Sequence, residues 1–265
     1  MIQPALFVVL VFAVPWLVAP WLPEQPQTRW EVIASYVPGV WAPTVIAIVM
    51  IVWTSGFTGL WRELKQRLSF PSGAAVWLLV AALVPILVTL SGVWGARFTG
   101  DARPFIPASL LRDVIVNAML TGAVGEELGW RGFLLSRLDQ RVGRSKSALA
   151  MGILWSLWHL PVFLFPDSPY ASWPLTPALL TIAAFGVFMG ALYYLGSGSI
   201  LPTILAHLSL NIVLAIGGAA LSSPVLWWTS AIAYSAIAAR LVRSNAVRNR
   251  PAVPAYATTA SGARH

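Results

Sequence analysis

Residues 74–94 read AAVWLLVAALVPILVTLSGVW, twenty-one positions without a charged side chain. As a helix rising 1.5 Å per residue, that stretch crosses the ~30 Å hydrocarbon core of a bilayer. A helix is also what the solvent demands. Lipid offers no partner to a backbone N–H or C=O, so the segment must satisfy its own. Pro85 interrupts one such bond, a loss that membrane helices absorb through their neighbours.

Moving outward, the same reasoning marks eight apolar segments, at roughly 4–22, 37–53, 74–94, 107–136, 147–165, 174–195, 200–216 and 225–242. Composition agrees: 58% of the 265 residues are hydrophobic and 10% charged, against about 25% charged in soluble domains. Many of the fourteen Trp residues sit near the ends of apolar runs, where an aromatic belt belongs. No basic region precedes the first apolar run, so it reads as an uncleaved span rather than a secretory signal. The expected architecture is an all-α, polytopic transmembrane bundle. It has one domain over residues 1–244 and a disordered cytoplasmic tail over 245–265.

The net charge of +8 invites thoughts of nucleic acid. The distribution argues otherwise. Twelve of the seventeen Lys and Arg follow the second, fourth and eighth segments: Arg62, Lys65 and Arg67, then Arg137, Arg141, Arg144 and Lys146, then Arg240, Arg243, Arg248, Arg250 and Arg264. Arg29, Arg97, Arg103 and Arg112 fall on the other side, and Arg131 lies within the fourth segment. Such asymmetry places both termini in the cytoplasm, which an even number of spans permits. The partners expected are membrane lipid and a membrane-embedded or lipidated peptide, with no nucleic acid. The chain has no Cys, which excludes disulfides, a thiol nucleophile and Cys metal ligands.

Ionisable groups within membrane helices are costly and mark function. Glu126 and Glu127 sit together in Thr121-Gly-Ala-Val-Gly-Glu126-Glu127-Leu-Gly-Trp-Arg131. Glu127 and Arg131 are four apart and share a face, so they can pair. Glu126 is turned about 100° away, with no partner in its own helix. His159 lies in the fifth segment after Trp155-Ser-Leu-Trp, and His207 and Asn211 are four apart in the seventh. The third histidine, His265, is the last residue. Counted from the cytoplasmic edge at Arg137, Lys146 and Ser199, Glu126, His159, His207 and Asn211 lie about 12–20 Å deep. That brings three helices to one level near the midplane of the bilayer.

These residues resemble the motifs of the CAAX-protease and bacteriocin-processing (Abi) family, to which the type II CAAX prenyl endopeptidases belong. Its pattern is Glu-Glu-x-x-x-Arg, then an aromatic with His four residues on, then His-x-x-x-Asn or Asp. Here these are Glu126, Glu127 and Arg131, then Trp155 and His159, then His207 and Asn211. Trp155 departs mildly from the more typical Phe. The likeness covers roughly residues 107–216. It implies an intramembrane endopeptidase in the cell membrane. Glu126 is implied as the base that activates water, assisted by His159. His207 and Asn211 are implied as the oxyanion pair, with Glu127, Arg131 and Trp155 in support.

The chemistry is self-consistent. Amide hydrolysis needs a base touching a water and donors aimed at the tetrahedral oxygen. No serine elbow and no His-Glu-x-x-His helix offers another route. A metal-free glutamate mechanism is favoured. Zinc or another divalent ion held by Glu126, His159 and His207 is the alternative. Two readings from other classes stand beside it. One is a catalytically silent immunity or scaffold protein, and the other a proton-linked transporter, against which stands the lack of an inverted repeat.

Overall fold

The computed structural model describes residues 2–18, 29–70, 74–100, 115–116, 118–164 and 170–248. Among them the secondary structure is helical throughout. The long helices are α1 (Ile2–Val18), α2 (Arg29–Arg67) and α3 (Ala74–Phe98). Next comes α4, continuous over 119–142, in which π-helical turns at Met119–Ala123 and Leu128–Leu135 flank an α-helical Val124–Glu127 before Ser136–Val142. Then follow α5 (Arg144–Leu164), α6 (Leu175–Leu195), α7 (Leu201–Gly217), α8 (Pro224–Arg243) and the short α9 (Asn245–Arg248).

Five stretches are long and apolar enough to cross a membrane: Pro38–Arg67, Ala75–Phe98, Arg144–Leu164, Leu175–Leu195 and Pro224–Arg243. Gln3–Val14 and Leu201–Ile216 are shorter apolar helices. The chain is a multi-pass membrane protein. Its outward faces are oily, with Trp53, Phe57, Trp61, Trp94 and Phe98 exposed as lipid-facing side chains should be.

Packing follows from small residues. α5 lies against α6, α6 against α8, α3 against α7 and α8, and α4 against α2 and α7. Gly152 of α5 and Gly186 of α6 let two backbones touch: a Cβ on Gly152 would strike the Ala183 carbonyl oxygen. Gly129 does the same for α4, where a Cβ would strike the backbone of Pro43. Without a hydrophobic driving force between helices in lipid, such close approach is what holds them.

One end of the bundle gathers charge. Arg67 is paired with Glu63 at 3.0 Å and donates to the Tyr193 hydroxyl at 2.7 Å. Arg137 lies 3.6 Å from Glu63 and 3.4 Å from the Gln3 side chain. The Ile200 amide donates to the Arg67 carbonyl at 2.8 Å, and Arg144 NH1 donates to the Val247 carbonyl at 2.6 Å. These bonds bring the start of α1, the ends of α2, α4 and α6, the starts of α5 and α7, and α9 to one level. The two ends of the described chain therefore share a side.

The structure departs from the sequence reading in three places. The second segment does not stop at residue 53. The helix bends at Gly56, whose φ of 64° and ψ of −177° are non-helical, and runs on to Arg67. The reading stopped where Thr54, Ser55 and Gly56 ended the apolar run. Arg67, Arg137 and Arg144, read as loop cations, are consequently buried inside helical packing. Asn245–Arg248, assigned to the tail, forms α9 with Val247 buried. Arg103, Arg112, residues 107–114 of the fourth segment, residues 249–265 of the tail and His265 lie outside the described residues.

Candidate active site

α4 carries the acidic pair into the middle of the bundle, and Glu126, Glu127 and Arg131 are all buried. Arg131 NH1 is 2.9 Å from Glu127 Oε1, the ion pair that the four-residue spacing predicts. That oxygen is shared: Nδ1 of His207, from α7, also lies 2.9 Å from it. A carboxylate only accepts, so Nδ1 carries the proton. Glu127 thus ties α4 to α7.

Glu126 finds its partner outside its own helix. Trp155 of α5 donates its indole Nε1–H to Glu126 Oε2 at 2.7 Å. This leaves Oε1 for other work. The Trp155 ring is also the meeting point of the other groups. The Arg131 guanidinium lies 4.8 Å from its centroid, the His159 ring meets it edge-on at 4.8 Å and the His207 ring at 5.3 Å. His159 Nδ1 is 2.8 Å from the Trp155 carbonyl oxygen. A carbonyl cannot donate, so the neutral ring holds its proton on Nδ1 and presents Nε2 as an acceptor. His159 is partly exposed, whereas His207 is buried.

Gly122 makes the floor. A Cβ there would lie 2.7 Å from Asn211 Nδ2 and 3.2 Å from His207 Nε2. Both nitrogens therefore press on the bare backbone one helical turn before Glu126. Gly122 lies outside the motif pattern. Its signal was the run of glycines at 122, 125, 129 and 132 on a helix already burdened with charge. The structure thus brings Glu126, Glu127, Arg131, Trp155, His159 and His207 into one cluster, with Asn211 reaching it across Gly122.

The zinc alternative does not fit this arrangement. Among the described residues no three His, Asp or Glu side chains are disposed to hold one metal ion. The atoms these bonds leave over, Nε2 of each ring and Oε1 of Glu126, do not form a metal-holding group.

Residues 108–213 match the family model described as type II CAAX prenyl endopeptidase Rce1-like. "CAAX prenyl protease 2" of Methanococcus maripaludis is 27% identical over 196 residues, covering 66% of this chain and 69% of that protein. Over residues 108–213 the chain is thus similar to the Rce1-like type II CAAX prenyl endopeptidases.

Proposed function

We propose that the chain hydrolyses a peptide bond of a membrane-embedded or lipidated substrate, with Glu126 as the base. The observation that carries the reading is the state of Glu126. It is a buried carboxylate held at one oxygen by Trp155, while its neighbour Glu127 takes the charge of Arg131. A second carboxylate with no cation of its own has no structural purpose that would offset its cost in lipid.

The residues then divide the work. Glu126 Oε1 takes a proton from water as the water oxygen attacks the scissile carbonyl, and Nε2 of His159 helps orient that water. Asn211 Nδ2 donates to the tetrahedral oxygen. His207 donates from Nε2 when its ring carries both protons, its charge then facing Glu127. Collapse of the intermediate breaks the C–N bond, and the proton taken by Glu126 passes to the leaving amine. Glu127 and Arg131 position His207 rather than touch substrate. No step runs through a metal.

The charged end, and with it both described chain ends, faces the cytoplasm; the support is the positive-inside bias. A peptide ending in a prenylated CAAX sequence is the first substrate to try, because the matching family model and the archaeal relative carry that name. The test uses proteoliposomes of the whole chain and a farnesylated peptide, with fragments identified by mass spectrometry. Cleavage by the native chain and none by Glu126→Gln is the expected result. Equal cleavage by both removes the assignment of Glu126.

A second reading, a silent member of the family, gains no specific observation. The transporter reading gains none either, since the described acidic cluster is a single one.

A further inference from the structure

The turn between α4 and α5, with α9 folded against it, borders an open concavity of about 420 Å³ lined by Asp139, Val142, Gly143, Arg144, Lys146 and Arg248. One water takes roughly 30 Å³ of liquid, so the space suits a headgroup-sized ligand. It lies at the charged end of the bundle and contains none of the residues assigned to hydrolysis.

Its charges are not equivalent. Arg144 is committed, donating to the Val247 carbonyl at 2.6 Å and lying 3.7 Å from Asp139 Oδ2. The one acidic side chain in the lining is thereby paired from within the protein, at ion-pair distance and without a hydrogen bond to Oδ2. Lys146 and Arg248 are exposed, and neither has a side-chain partner among the described residues. Two cations are left facing a cavity with no anion of its own to spare.

A second observation says what carries the missing charge. Above Lys146, α5 presents Leu149, Ile153 and Leu157, exposed at 56%, 47% and 47%. At 100° per residue these three and Lys146 lie within about 80° of one another on the helix. A cation at the membrane edge thus stands in line with an apolar stripe running into the membrane. Free phosphate would use only the cations, whereas a phospholipid uses both.

We propose that the concavity binds the phosphoryl headgroup of an anionic phospholipid, with Lys146 and Arg248 on the phosphate and an acyl chain along Leu149, Ile153 and Leu157. The site is built rather than diffuse, because three separate segments wall it and Arg144 fixes two of them together. It is independent of the hydrolytic reading.

Native mass spectrometry of the whole chain tests it, with phosphatidylglycerol, phosphatidylcholine or inorganic phosphate titrated in turn. Two variants are compared. Lys146→Gln/Arg248→Gln empties the concavity of its available cations. Arg240→Gln/Arg243→Gln removes the same charge from exposed positions at the end of α8 that do not line it. Phosphatidylglycerol should bind the native chain more tightly than either other ligand. The first variant should weaken it on the order of tenfold and the second by less than about twofold. Thermal unfolding of both variants should match the native chain. Equal losses in the two variants would reduce the site to general surface charge. Phosphate competing as well as the lipid, or phosphatidylcholine binding as tightly as phosphatidylglycerol, would overturn the assignment to an anionic lipid.

Discussion

Trp155 is the residue on which most of the site's contacts converge. Its N–H fixes Glu126 and its ring meets Arg131, His159 and His207. Trp155→Phe keeps an aromatic ring and removes the indole donor together with part of the ring's buried contact. A hydrogen bond to a charged group is worth about 1.5–3 kcal/mol, so activity on any cleaved substrate should fall roughly ten- to hundredfold with the fold intact. Steady-state kinetics beside thermal unfolding decides it, and an unchanged rate would deny Trp155 its positioning role. The carboxylates should separate in the same assay. Glu126→Gln should unfold like the native chain and be inactive. Arg131→Ala breaks a buried ion pair and should cost about 3–5 kcal/mol. Motif spacing singled out Glu126, Glu127, Arg131, His159, His207 and Asn211, which the fold draws together. It was not enough to say what each one touches. Glu126 looked partnerless because its partner lies on another helix, a relation that helical periodicity within one segment cannot express.

At the scale of the element, α4 is the piece that makes the site, and its glycines divide into two kinds. A methyl at Gly122 would meet the ends of the Asn211 and His207 side chains, which can swing aside. A methyl at Gly129 would meet the backbone of Pro43, which cannot. Gly122→Ala should therefore leave melting nearly unchanged and abolish most activity, because Asn211 and His207 are displaced. Gly129→Ala should lower the melting temperature by separating α4 from α2. Melting curves and activity for the pair check both claims, and matched melting losses would merge the two roles. The boundaries of α4 and α2 were the least legible part of the fold. Apolar runs end where polar residues begin, but these helices continue through polar turns because their charges neutralise one another. Glu63, Arg67 and Arg137 do so at the end of α2 and α4. α6 and α8, whose apolar runs coincide with their helices, were readable to within a residue, whereas α3 begins where its apolar run does and continues four residues past it.

For the whole molecule, the contacts that join the start of α1 to α9 through Arg137, Glu63, Arg67 and Arg144 put both described chain ends on one side. With no native Cys, single cysteines report sidedness cleanly. Arg141→Cys should react with a membrane-impermeant reagent only from the cytoplasmic side and Thr99→Cys only from the opposite side. Labelling of Arg141→Cys from outside would invert the topology. The central claim is that a charged cluster within this bundle cuts other membrane proteins. The measurement that meets it most directly compares the peptide termini of the membrane proteome in a deletion strain complemented with the native chain or with Glu126→Gln. New termini should appear with the native chain alone. Identical termini in the two strains, with both proteins folded and equally abundant, would contradict it.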